Sequence, residues 1–300
     1  MPLWILATLA AALVQTGRFA LQKHLKSAGL TTAGATFARF VFAAPLALAL
    51  AAALLAADGQ GLPALSGRFW LAALGGGLGQ ILATTATVAL FARRNFAAGI
   101  AFTKTETVLV ALFSAVFLGE AVSGAGFAAI LVGLAGVLLL SLPKRGAGWG
   151  AEAQAPALGL AAGALFGLSA IGYRAATQAL DVDDAFTRAA LTLAAVTSFQ
   201  TLAMLPWLRW RTPGEITRVL ARWRVTALVG VTGVLGSLGW FLAFALQNAA
   251  YVRALGQVEL VFSALVSWIL FRERATGREI AGIGLLGLSI VLLVLVAGKT

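Results

Sequence analysis

Runs of about twenty apolar residues, separated by short polar breaks, fill nearly all of this 300-residue chain. A helix of that length crosses the ~30 Å hydrocarbon core of a bilayer, and in lipid the backbone must satisfy its own N–H and C=O groups. Read against their polar punctuation, the spans fall at 2–21, 33–56, 69–91, 97–118, 124–142, 156–178, 185–207, 225–247, 250–271 and 277–297. Only 11% of the residues are charged, against about 25% in a soluble domain, too few to cover a water-facing surface. The expected fold is therefore an all-α integral membrane protein with ten transmembrane helices. The first run, MPLWILATLAAALVQTG, lacks the basic flank of a secretion signal. It also has a counterpart later in the chain, so it is read as the first helix.

That counterpart belongs to an internal repeat. KTETVLVALFSAVFLGEAVSGAGFAAILVGLAGVLLL, from Lys104, aligns with QVELVFSALVSWILFRERATGREIAGIGLLGLSIVLL, from Gln257. Glu106 meets Glu259, Glu120 meets Glu273 and Gly124 meets Gly277, all at one offset. Upstream, LAAALVQTGRFAL answers AAGALFGLSAIGY, and ATFARF answers DAFTRA, which sets Arg39 opposite Arg188. The units are 1–146 and 156–300, joined by a Gly-rich linker at 147–155. Five spans per unit is an odd number, so the second copy must enter the membrane from the other side. Two inverted five-helix repeats are the architecture of secondary transporters.

The net charge of +11 is scattered between apolar runs, so no basic groove for nucleic acid is expected. Most of it falls in the odd-numbered loops, including Lys23, Lys26, Arg93, Arg94, Lys144, Arg145, Arg209, Arg211, Arg218 and Arg222. The other side is assigned only Arg68, Arg174, Arg188, Arg253 and Lys299. By the positive-inside rule the odd loops face the cytoplasm and both termini lie outside. Without cysteine, and with His24 as the only histidine, disulfide and thiolate chemistry are excluded and no metal or other cofactor is expected. Glycines recur at Gly75 and Gly79, at Gly159, Gly163 and Gly167, and at Gly230, Gly233, Gly236 and Gly239. They read either as close helix packing or as faces on which helices slide.

Ionisable residues inside apolar spans are costly and mark function unless they form a structural pair. Glu106 and Glu259 fall near the middle of the fourth and ninth spans. Their equivalent positions put two carboxylates near the midplane, as substrate or coupling groups or as a locked pair. Lys104 is expected to reach Glu259 and tie the two halves together. Arg39, two turns into the second span, either snorkels to the interface or faces a cavity. Gln15, Gln80, Tyr173, Trp240, Tyr251 and Gln257 are candidate lining residues, with Thr84, Thr103, Gln247 and Asn248 behind them. Glu120 and Glu273 close their spans and are expected to cap the next helix or meet an arginine.

With LGE closing the fourth span, a Gly-rich fifth span and an arginine in the second, the chain resembles the drug/metabolite transporter superfamily, EamA-like group. The likeness covers essentially the whole chain as two five-helix copies. FLGEAVSGAGFAAILVGLAGVLLL, residues 117–140, is its most specific stretch, and FRERATGREIAGIGLLGLSIVLL is the second copy. The resemblance implies a ten-helix bundle with a central cavity, moving amino acids, amines or similar metabolites, often for export. Lys104, Thr105 and Glu106 stand where the family commonly has a proline-containing apolar stretch, so specificity is expected to differ there.

The expected function is alternating-access transport of a small cationic or zwitterionic metabolite, an exporter with protons as coupling ion. Its place is the inner membrane of a bacterium, as a monomer or weak dimer, with the lipid bilayer and a small-molecule substrate as its partners. A passive channel would need a continuous polar pore. A membrane-embedded enzyme would need an acid, base or metal cluster that one histidine and no cysteine do not supply.

Overall fold

The computed structural model describes residues 1–59, 61–91, 103–141, 154–269 and 277–297. Among these the chain is helical throughout its regular structure, with twelve α-helices and no strand. The first half supplies α1 (Leu3–Ser27), α2 (Thr32–Ala57), α3 (Gly67–Leu90), α4 (Glu106–Phe113) and α5 (Gly124–Ser141). The second supplies α6 (Gln154–Gln178), α7 (Ala185–Arg211), the short α8 (Glu215–Ala221), α9 (Trp223–Leu246), α10 (Ala249–Leu255), α11 (Glu259–Ile269) and α12 (Gly277–Ala297). Starts are set by side-chain caps. Thr31 accepts from Gly34 N–H on α2, Ser66 from Phe69 on α3, and Asp184 from Thr187 on α7. The amide and hydroxyl of Thr187 hold the Asp184 carboxyl below its ordinary range.

Among the described residues seven segments are long and apolar enough to cross a membrane. Three further apolar helices, Glu106–Leu118, Gly124–Gly136 and Ile280–Leu293, are shorter. Most expected boundaries hold to a few residues, with three informative differences. Helix α1 continues past residue 21 to Ser27, because Gln22 and Leu25 turn inward and are buried. The polar stretch 208–224, read as a connection, contains α8. The fourth and ninth spans are not continuous α-helices. Thr103–Thr105 and Gly256–Val258 are 3₁₀ turns, and Glu106 and Glu259 follow them directly. Residues 97–102 of the fourth span and the 147–153 part of the linker lie outside the described residues.

The halves are joined helix against helix, α1 on α9, α2 on α7, α3 on α6 and α5 on α12. Absent side chains permit the closest approaches. A Cβ on Gly79 would lie 3.1 Å from the Leu165 carbonyl, and one on Gly172 would lie 2.7 Å from that of Ala72. Gly76, not the expected Gly75, makes the middle contact, against Tyr173 and the Ser169 carbonyl. Along α9, Gly236 and Gly239 seat the backbone of α1 at Ala11 and Ala7, while Gly230 seats Phe42. At these positions the glycines serve packing. Large apolar side chains point outward, with Leu71 79% and Val116 74% exposed, as a lipid-facing surface requires.

Helix α3 runs antiparallel to α6, with Gly76 beside Tyr173 and Gly79 beside Leu165. The connections at 58–66 and 179–184 therefore share one side. Helix α1 runs antiparallel to α9, which puts the α1–α2 turn and the α8 region together on the opposite side.

Candidate functional site

Two cross-half ion pairs lie at the 3₁₀ breaks. Lys104 Nζ from the first half donates to Glu259 Oε2 of the second. Arg253 Nη2 from the second half donates to Glu106 Oε2 of the first. Lys104 Nζ is also 3.8 Å from Glu106 Oε1, so the four groups form one buried chain of alternating charge. Each of the four is less than a tenth exposed. A 3₁₀ turn presents its side chains at a pitch that a continuous α-helix would not.

Neutral groups extend the network. Gln15 Nε2 donates to both Glu259 oxygens at 3.1 and 3.2 Å, and its Oε1 accepts from Trp240 Nε1 at 3.1 Å. The Arg253 guanidinium lies 4.7 Å from the Trp240 ring centroid, a cation–π contact. Tyr173 donates to Gln80 at 2.8 Å and stacks on Phe241. Gln200, absent from the sequence reading, donates to both Gln80 and the Gly77 carbonyl. Arg39 is inside the bundle rather than at the interface, donating to Thr84 at 3.2 Å and to Ser237 at 2.9 Å.

Gln15, Gln80, Tyr173, Ser237, Trp240 and Arg253 line one cavity between the halves, together with apolar neighbours. At about 20 Å³ it has room for a single water. The remaining candidates lie elsewhere. Tyr251 contacts Ser123 and fills the space over Gly126, fixing the start of α5. Gln257 is buried beside Gly133 and Ser289, and both its amide atoms lack a partner among the described residues. Arg188, the repeat counterpart of Arg39, donates to the Val182 carbonyl at the edge of the bundle.

The halves are tied to each other on both sides of the bundle. On one side Arg174 Nε donates to both Glu120 oxygens at 2.7 Å, and its Nη1 donates to the Phe244 and Gln247 carbonyls at the end of α9. The LGE motif builds this tie. Gly119, at φ +68°, ends the preceding π turn in a conformation that favours glycine, and Glu120 is turned toward Arg174. Glu120 thus meets an arginine, as one of its two expected roles had it, while Glu273 lies outside the described residues. On the other side Glu215 of α8, fully buried, accepts from the Thr31 amide at 2.6 Å and hydroxyl at 2.8 Å, and pairs with Arg218.

The sequence reading counted Arg174 and Arg253 among loop charges; both are helical and largely buried. It passed over Arg18, whose Nη1 donates to Gln22 at 2.6 Å and whose side chain is buried. The available signal was an arginine interrupting LVQTGRFAL and another in AAYVRALGQ.

Residues 155–295 match the family model of the EamA-like transporter family. Over that second unit the match bears out the resemblance to the drug/metabolite transporter superfamily read from the sequence. A solved crystal structure, described simply as that of a protein, is similar over 99% of this chain and 98% of its own. Its TM-score is 0.67 at 18% identity, a likeness of fold. No curated protein matches in sequence. The match covers the second half of the chain, and seven helices among the described residues are long and apolar enough to cross a membrane.

Proposed function

Taking residues 155–295 as an EamA-like transporter unit, we propose that the chain is a secondary transporter working by alternating access between two inverted five-helix repeats. The units are 1–146 and 156–300, joined at 147–155, in a bacterial inner membrane. The observation that carries this reading is the reciprocal pairing of Lys104 with Glu259 and of Arg253 with Glu106. Broken helices at repeat-equivalent positions are where transporters of this architecture bind substrate and coupling ions. Charged groups from opposite halves hold the halves together, so a proton or substrate that replaces one partner releases one half from the other. Ties at Glu120 and Glu215 join the halves on both sides of the bundle, which fits an occluded state better than an open pore.

The substrate is a small zwitterionic metabolite such as an amino acid, exported in exchange for protons. A plain cation fits less well, because each carboxylate is already engaged by a cation of the protein. Aromatic walls at Tyr173, Trp240 and Phe241 suit an apolar or amine-bearing side. The test is uptake of radiolabelled amino acids into proteoliposomes with and without an imposed pH gradient. Saturable, gradient-dependent uptake that a protonophore abolishes is expected. Non-saturable flux indifferent to the gradient would sink the reading.

A further inference from the structure

We propose that Arg18 and Arg39 form the subsite for the carboxylate of the transported molecule. This rests on the reading of the cavity as a transport site. Four other buried ionisable groups beside the cavity are paired with opposite charge, Glu106 with Arg253 and Glu259 with Lys104. Glu120 and Glu215 have arginine partners as well. Neither Arg18 nor Arg39 forms an ion pair among the described residues, although Glu259, already held by Lys104, exerts some attraction on Arg18, and the two are only 1% and 2% exposed. Their contacts are to neutral acceptors, Gln22 for Arg18 and Thr84 and Ser237 for Arg39. Arg18 Nη2 is buried with no acceptor among the described residues.

The two arginines lie together. A Cβ on Gly233 would be 3.1 Å from Arg39 Cγ and 3.8 Å from Arg18 Cδ, so this glycine makes room for both stems. Two cations whose stems meet over one glycine repel each other, and burial of each beside mainly neutral acceptors is unfavourable. A carboxylate binding there removes both penalties, and the planar fork of arginine matches its two oxygens. The site adjoins the cavity. Ser237, which accepts from Arg39, lines it, and Gln15, one helical turn before Arg18 on the same face, lines it too. When the halves part, the Ser237 and Thr84 hydroxyls give way to the ligand's oxygens. The ammonium end of a zwitterion then lies toward Trp240 and the carboxylate pair.

The experiment is thermal unfolding of the full chain in micelles at neutral pH and fixed ionic strength. The probes are leucine and phenylalanine, their decarboxylated amines (3-methylbutylamine and phenethylamine) and their deaminated acids (4-methylpentanoate and 3-phenylpropanoate). At least one amino acid and its matched acid are expected to raise Tm, while the matched amine does not. R18Q and R39Q are expected to lose that shift. R18K and R39K, which keep the charge and lose the fork, are expected to weaken it, and they decide the matter if the glutamine variants do not fold. An amine as effective as its acid, no shift with any acid, or a shift unchanged in the variants would overturn the assignment. Absence of transport in proteoliposomes with an arginine-dependent shift intact would count against the transporter reading alone. Transport intact with no such shift would count against the subsite alone.

Discussion

Glu106 and Glu259 each stand at the first α-helical position after a three-residue 3₁₀ turn, and each is held by a cation from the opposite half. The carboxylates obey the repeat; the cations do not. Lys104 has Gln257 as its counterpart, and the residue that matches Arg253 at the same offset is Ile100. The two halves therefore share a frame and differ in charge. The two equivalent carboxylates meet chemically different partners, an ammonium at Glu259 and a guanidinium at Glu106.

Breaking one member of a buried pair leaves the other charge unpaired, at a cost of ~3–5 kcal/mol, whereas an apolar replacement of both is often close to neutral. K104M and E259Q are each expected to destabilise the protein by amounts of that order, and K104M/E259Q by clearly less than their sum. A double-mutant cycle from reversible unfolding in micelles reads the coupling. Additive losses would mean that the Lys104–Glu259 contact contributes nothing of its own.

Glu215 places a carboxylate of the second half at the amino-terminal end of α2, where it accepts from both Thr31 donors. A Cβ on Gly34 would lie 2.0 Å from Glu215 Oε1, so the seat is closed to any larger residue. E215A is expected to cost ~1–3 kcal/mol, the penalty of leaving buried donors unsatisfied. Hydrogen exchange is expected to rise at residues 31–35 and 215–221 together, as the tie between halves opens. Unchanged exchange at 31–35 would show that Glu215 serves α8 alone.

Much of this site was legible in the sequence, because an ionisable residue in an apolar run announces itself. The equivalence of Glu106 and Glu259, and Lys104 as the partner of Glu259, follow from depth and repeat. The 3₁₀ breaks were not legible: KTET and GQVE carry no proline, and turn geometry there is fixed by packing between the halves. Arg253 was taken for a loop charge because it lies only a few residues inside its span. It pairs instead with a carboxylate almost 150 positions away, a contact no local pattern contains. The count of ten crossing helices rests on the shorter apolar segments, where length alone does not decide.

The α1–α2 turn and the α8 region share one side, and the connections at 58–66 and 179–184 share the other. Lys23, Lys26, Arg209, Arg211, Arg218 and Arg222 belong to the first side, so the positive-inside rule turns it to the cytoplasm. Since the native chain has no cysteine, single-cysteine variants report cleanly. R222C is expected to resist a membrane-impermeant maleimide applied to intact cells, and D183C to react with it. The reverse pattern would invert the whole orientation.

The two carboxylates supply the sharpest test of mechanism. Each is buried in the bundle interior, so a change in its protonation requires the packing around it to open to water. A proton arriving on Glu259 cancels the attraction that holds Lys104, and one arriving on Glu106 does the same for Arg253. Either event weakens the contact between halves and favours their separation. Glutamine keeps the shape and the hydrogen-bonding oxygen but cannot exchange a proton, so E106Q and E259Q imitate the protonated state permanently. Both variants are expected to be monodisperse in detergent. At least one is expected to lose gradient-driven transport while retaining exchange of substrate for substrate, since exchange needs no net proton movement. In that variant the pH dependence of transport is expected to flatten as well. If E106Q and E259Q both transport at the native rate with the native pH profile, the pairs only hold the bundle together and proton coupling through them is wrong.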